Sequence, residues 1–329
     1  MVGDKKFSII AILKILQEKS DVDHPLTYDK IVELLQLEYG LSLERRAVSR
    51  NIQILNDFGY DIEVGRKGAF IHTREFDDPE LKLLIDNILS NKYITQKHTK
   101  QLIDKLMHQT SLELKKHTKY VCASDEWSKT TNEEVFLNVE LIDEAIANKK
   151  QIEFDYNAYN TMHQLVPRHK DKKSIVSPYR MVVKNQRYYL MSKNMERGTL
   201  TYYKIDKITN MKILDKCADD INTLPSFTHG VNNMVLSDAL PYMFSDKPEN
   251  IQIELKTPET ADAICDWFGH RVKFMTGKDN RIIACVKSSP LAMKYWALQY
   301  VDVAKIISPS HLVNDVKREL QLGLDYYNL

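Results

Sequence analysis

Residues 42–59 read SLERRAVSRNIQILNDFG, and this stretch decides the fold. Ala47, Val48, Ile52 and Leu55 recur at i, i+4 and i+7 spacing, which puts them on one side of a helix facing a core. Arg46, Ser49, Arg50 and Gln53 recur on the opposite side. Ser42 reads as the N-cap, and the helix is expected to run to Phe58 and stop at Gly59. An arginine pairs bidentately with guanine and a glutamine with adenine, so the polar face has the chemistry to grip phosphates and read base edges. Arg45 stands beside it, near the end of the helix where the dipole favours phosphate. A plain solvated face accounts for exposed Arg and Gln equally well, so the helix alone does not decide its use.

Working outward, two alternating segments follow, Tyr60–Val64 and Ala69–Thr73, linked by Gly65-Arg66-Lys67-Gly68. Glycines at both ends of a short polar link predict a β-hairpin with Arg66 and Lys67 at its tip. Upstream, residues 5–19 place Ile9, Ile12, Leu13 and Leu16 on one stripe, and Asp23-His24-Pro25 breaks the pattern. Thr27 is the expected N-cap of a second helix from Tyr28 to about Tyr39, with Asp29 in its first turn and Gly40 closing it. Three short helices and a hairpin are the layout of a winged helix-turn-helix. There the helix, its spacing and a basic hairpin tip together favour duplex DNA.

Residues 78–118 return to helical periodicity through Leu81, Leu84, Ile85, Ile88 and Leu89, then Leu102, Ile103, Leu106 and Met107. They read as a connector whose apolar faces suit dimerisation. Residues 123–134 are polar and read as a linker. From residue 150 the period changes to two, with Gln151–Tyr156, Ile175–Val183, Tyr188–Ser192 and Leu200–Ile205 as short strands of a small barrel or bent sheet. Residues 216–247 give no clear pattern. Beyond them the order is strand (Ile251–Leu255), helix (Pro258–Phe268), strands (Val272–Met275, Ile282–Lys287), helix (Pro290–Gln299), strand (Val301–Ile307) and helix (Leu312–Tyr326), a ferredoxin-like pattern.

The chain has 329 residues, more than one core normally organises, and a formal net charge of +1, so a nucleic-acid surface must be a local patch. No signal-peptide layout and no membrane-length apolar run is legible, which predicts a cytoplasmic, nucleoid-associated protein. Cys122, Cys217, Cys265 and Cys285 are scattered and read as reduced, partly buried thiols rather than metal ligands. No nucleophile elbow, phosphate loop, HExxH or glycine-rich dinucleotide turn occurs, so no enzyme activity, cofactor or metal is expected. Asp77-Asp78 and Asp219-Asp220 are read as loop carboxylates, and His169 as a surface residue.

The run Arg46-Ala47-Val48-Ser49-Arg50-Asn51-Ile52, with Leu55 and Gly59, resembles the recognition helix of bacterial winged-helix regulators. Tyr188-Tyr189-Leu190 resembles the Trp-Tyr-Leu triplet of the WYL domain, with tyrosine in place of tryptophan. Ser177-Pro178-Tyr179-Arg180 and Tyr203-Lys204-Ile205-Asp206-Lys207-Ile208 are similar to that family's flanking strands, although lysines replace two arginines and Thr201 replaces a third. Residues 250–329 resemble the extension that follows WYL domains, on Ile251-Gln252-Ile253, Trp296-Ala297-Leu298, Tyr300, Pro309 and Leu312.

The resemblance implies an α+β multidomain chain: winged helix-turn-helix (1–75), helical connector (76–135), Sm-like β-barrel (136–216), then linker and ferredoxin-like extension (217–329). It implies a homodimeric transcription regulator, a repressor at a palindromic double-stranded operator, that responds to a nucleotide or single-stranded nucleic acid. The expected ligand set is Ser177, Tyr179, Arg180, Arg187, Tyr189, Lys204 and Lys207, because cations interleaved with aromatics suit such ligands. Equally, the tyrosines are explicable as barrel core and the cations as its solvated exterior. The alternative function is an accessory protein that binds single strands and modulates a nuclease or defence complex.

Overall fold

The computed structural model describes residues 7–72, 74, 76–108, 129–170, 172–184, 187–224, 242–244, 246–269, 272–277 and 280–328. The chain is a mixed α+β molecule of two compact units, Met1–Glu133 and Glu134–Leu329. No described helix is long and apolar enough to cross a membrane.

The first unit opens with α1 (Ser8–Lys19), α2 (Tyr28–Tyr39) and α3 (Arg45–Asp57), followed by a hairpin of β1 (Ile62–Gly65) and β2 (Gly68–Ile71). Ile12, Ile15 and Leu16, Ile31 and Leu35, and Val48, Ile52 and Leu55 supply the three helical stripes, and Ile62, Ala69 and Ile71 close the core from the hairpin. The Thr27 hydroxyl accepts from the Lys30 amide and Gly40 ends α2 at φ 65°, both as expected. Ser42 does not cap α3: Glu44 holds that position without a side-chain bond, and Phe58 is the C-cap. Glu44 is extended, so the helix starts two residues later than a Ser42 cap would place it. The strands pair Ile62 with Ile71 and Gly65 with Gly68, leaving Arg66 and Lys67 as the turn. Thr73, expected to end the second strand, lies outside the described residues.

After the hairpin, Arg74 turns back and donates to the carbonyls of Gln17 (2.7 Å) and Ser20 (2.6 Å) at the end of α1. The connector is two helices, α4 (Asp78–Ser90) and α5 (Gln96–Met107), with Thr95 capping the second. Asp77 was expected in a loop but forms a full capping box with Glu80, because its carboxylate satisfies an orphan amide of the first turn. Leu81 and Ile85 are buried against Ile103, Leu106 and Met107, so much of the predicted dimerisation face is used within the connector. Leu84, expected in that stripe, is exposed. Residues 109–128 of the predicted connector lie outside the described residues, Cys122 among them.

The second unit begins with α6 (Val135–Ala147), a helix that its period did not reveal because apolar residues occur almost all round it. Asn138 on α6 donates 2.7 Å to the Ile208 carbonyl and ties the helix to a curled sheet. That sheet is formed by β3 (Lys150–Tyr159), β4 (Leu165–Pro167), β5 (Ser174–Lys184), β6 (Arg187–Asn194), β7 (Thr199–Lys204) and β8 (Ile208–Cys217). The order is β4-β3-β5-β6-β7, with β8 beside β3, and these neighbours pair antiparallel. Ile152, Phe154, Leu190, Tyr203, Ile205 and Ile208 fill its interior. Ile205, expected to end the strand, instead opens a 3-10 turn over Ile205–Lys207. Cys217 is exposed, not partly buried, because it ends an outer strand.

The chain then adds β9 (Glu249–Leu255), α7 (Thr260–Phe268), β10 (Lys273–Thr276), β11 (Ile282–Ser288), α8 (Pro290–Gln299), β12 (Ala304–Ser308) and α9 (Ser310–Tyr327). These strands form one antiparallel sheet ordered β10-β11-β9-β12. Ile251, Ile253, Val286 and Ile306 pack with Ile264, Trp296 and Leu312 of the helices. Val301 was assigned to the last strand but lies in the turn before it.

Candidate nucleic-acid interface and ligand site

Burial of Val48, Ile52 and Leu55 fixes the rotation of α3 about its axis, and that rotation exposes Arg46, Ser49, Arg50 and Gln53. Arg45 is exposed but leans on α2, 3.5 Å from the Asp29 carboxylate and with its guanidinium 5.9 Å from the Tyr28 ring centre. Gln53 is engaged on its own helix, donating 2.9 Å to Asp57. Arg50 also borders a hollow of about 700 Å³ shared with Ser8, Ser42, Ala47, Asn51 and Ile54, which the sequence did not announce. Arg66 and Lys67 are exposed at the hairpin turn. The turn is anchored by Leu26 and Ala69, whose amides and carbonyls exchange bonds of 2.8 and 2.9 Å. Close approach there requires glycine at 68: a Cβ would meet the Leu26 carbonyl carbon at 2.4 Å, and its φ is 143°.

In the curled sheet, the register places Val182, Tyr189 and Lys204 opposite one another on one face, and Met181, Leu190 and Tyr203 on the other. The second face is core: Leu190 is buried, and Tyr203 packs edge-on against Phe154 and Tyr156 and accepts from Asn194 at 2.7 Å. The first face carries the charge. Arg187 donates 2.9 Å to buried Asp206, and the Lys204 ammonium is held below its ordinary range by burial first, then by Arg187 and Lys207. Burial pushes the Asp206 carboxyl up, against the pull of Arg187, Lys204 and Lys207. The Lys207 ammonium lies 5.7 Å from the Tyr159 ring centre, and Arg168 lies 5.2 Å from that of Tyr156. Arg187, Tyr189, Lys204 and Lys207 are therefore brought together around Asp206, with Arg168 beside them.

Three members of the expected ligand set are not part of this group. Ser177 is fully buried; its hydroxyl accepts from the Asp219 amide at 2.9 Å and contacts the Met195 sulfur, so it is structural. Tyr179 packs with Met191 and Leu224, and its phenol is pushed up to about 12 by burial and by Asp219 and Asp220. Arg180 is exposed opposite Met191, at the other end of the regular ladder from the Lys184–Arg187 pair, so its neighbours differ from those of Arg187. The Asp219 and Asp220 pair is likewise structural, Asp219 bonding Lys193 at 2.6 Å and Asp220 capping a 3-10 turn.

Sequence reasoning missed a cleft of about 770 Å³ beside β7. Its lining includes Tyr156, Arg168, His169, Lys172, Lys173 and Arg197, from segments far apart in sequence. Only the basic run 168–173 offered a signal.

Residues 138–213 match the family model described as the WYL domain. The chain carries a WYL domain. It holds the Arg187, Tyr189, Lys204 and Lys207 group and the residues that line the cleft. Among solved structures, proteasome accessory factor B/C (PafBC) of Arthrobacter aurescens aligns over 98% of this chain and 49% of its own, at 14% identity and a TM-score of 0.30. The chain thus spans about half the length of that protein. A structure described as a CRISPR Cas-related protein aligns over 98% of this chain and 85% of its own, at 16% identity and a TM-score of 0.39. No curated protein matches.

Proposed function

We propose that this protein is a sequence-specific DNA-binding transcription regulator, a repressor, whose WYL domain senses a nucleotide-like ligand. The observation that carries the reading is the rotation of α3: one face is locked into the core while Arg46, Ser49, Arg50 and Gln53 face outward, and Arg66 and Lys67 are exposed at the hairpin turn. In this reading residues 1–75 are a winged helix-turn-helix whose third helix enters the major groove, and Arg66 and Lys67 hold the adjoining phosphates. Two copies read a palindrome. The curled sheet is an Sm-like barrel, and the antiparallel order β10-β11-β9-β12 supports a ferredoxin-like extension. The ligand sits on Arg187, Lys204 and Lys207, where cations and tyrosines suit phosphate and base. No catalytic step is assigned to the chain.

The test is a fluorescence-anisotropy titration against duplex DNA from upstream of the protein's own gene, with scrambled duplex and single-stranded DNA of equal length beside it. Saturable, sequence-dependent duplex binding, weakened by ~1–3 kcal/mol in Arg50→Ala, is expected. Flat duplex curves with tight single-strand binding would replace this reading by that of an accessory single-strand-binding protein.

A further inference from the structure

We propose that the outer edge of β7 is a docking site for an extended, acidic polypeptide segment of a partner protein. Among the described residues β7 pairs with β6 alone, so one side of its backbone is a sheet edge. The direction of that side is fixed by the Lys204 amide, which donates 3.3 Å to the Tyr156 hydroxyl instead of to β6. Strand alternation then turns the amides and carbonyls of Leu200 and Tyr202 the same way. The Thr201 carbonyl, by contrast, faces β6, where it accepts from Ser192 at 3.4 Å. Two residues' worth of donors and acceptors, repeating about every 7 Å, therefore face out from this edge, with Tyr202 lining the cleft, and such a row is the template that strand addition uses.

The cleft walls supply the charge preference. Arg168, Lys172, Lys173 and Arg197 line it against one carboxylate, Glu196, which is paired with Lys172. Acidic side chains on an incoming strand would meet these cations while its backbone pairs with β7. The same walls disfavour single-stranded nucleic acid, which needs open aromatic faces for its bases. The Tyr156 ring already carries Arg168 and touches Tyr203, Tyr203 is buried, and Tyr202 packs in the cluster with Met191 and Leu224. The Tyr202 hydroxyl is buried without a hydrogen-bond partner, further marking that ring as packed rather than presented.

The experiment selects twelve-residue peptides from a random phage-displayed library on the full chain, then measures the synthetic peptides by fluorescence anisotropy. Peptides rich in Asp and Glu are expected, with protection of residues 199–204 in hydrogen exchange. Charge reversal in Arg168→Glu with Arg197→Glu should weaken them at least tenfold. Leu200→Pro should do the same with an unchanged circular dichroism spectrum, since it removes an outward amide on an edge strand, where proline is tolerated. The proposal is overturned by peptides without acidic bias, by binding indifferent to both variants, or by a twenty-residue oligothymidylate protecting 199–204 where peptides do not. None of these variants touches α3, so duplex binding stays intact whichever result is obtained.

Discussion

Lys204 is the side chain whose charge state reports on the WYL-domain group. Its folded pKa lies below the ordinary 10.5, through burial and then Arg187 and Lys207. Between that lowered value and 10.5 the unfolded chain binds more protons than the folded one, so this residue's contribution makes stability rise with pH across the window. A phosphate ester seated beside it would reverse the shift by favouring the ammonium. Ligand affinity is then expected to fall as pH climbs through the same window, with proton uptake on binding. Calorimetry with a nucleotide above about pH 8, where the phosphate no longer titrates, checks this; Lys204→Arg should flatten the profile. A wild-type affinity independent of pH would take Lys204 out of the ligand site. Asp206 makes a second residue-scale case. Asp206→Ala leaves the Arg187 guanidinium, only 26% exposed, without its carboxylate, and the expected loss is ~3 kcal/mol by chemical denaturation. No loss would mean that solvent replaces the pair.

At the scale of elements, the β1–β2 hairpin is positioned by one glycine rather than by its basic tip. Gly68→Ala combines a φ of 143° with a Cβ 2.4 Å from the Leu26 carbonyl carbon, whereas a Cβ at Gly65 meets nothing within 4 Å. The backbone strain alone is worth ~1–3 kcal/mol, so Gly68→Ala should lower the melting temperature and duplex affinity together, while Gly65→Ala leaves both near wild type. Equal behaviour of the two variants would show that the hairpin is not held where duplex binding needs it. The contrast also shows what was legible in the sequence. The apolar stripes of α1 to α3, the glycine-bounded hairpin and the strand-helix alternation of the last eighty residues were readable because burial imposes a period. Helix α6 was not, since apolar residues nearly surround it, and neither was the bulge between Pro178 and Arg180 in β5. The cleft joins residues 156, 168–169, 172–175, 194–197 and 201–203, and no local pattern encodes which loops meet around a bent sheet. Ser177 misled for a related reason: a polar residue on a strand gives no sign in sequence that its hydroxyl is already bonded to a distant backbone amide.

For the whole molecule, the proposed regulation is a coupling between two sites, and such a coupling has a thermodynamic signature that needs no knowledge of the path. If a nucleotide on Arg187, Lys204 and Lys207 changes operator affinity by some factor, operator DNA must change nucleotide affinity by the same factor. Couplings of this kind are typically about 5- to 150-fold. Measuring duplex affinity with and without saturating nucleotide, and nucleotide affinity with and without saturating duplex, closes the cycle. The two ratios are expected to agree, and both should collapse to one in Lys204→Ala with Lys207→Ala while bare duplex affinity persists. A dimer on a palindrome adds a geometric requirement: inserting about five base pairs between half-sites rotates them to opposite sides of the duplex and should abolish tight binding, while about ten should restore much of it. Affinity indifferent to spacing would mean one copy binds one site. In that case the coupling must act within a single chain, and the ratio test should be read per monomer.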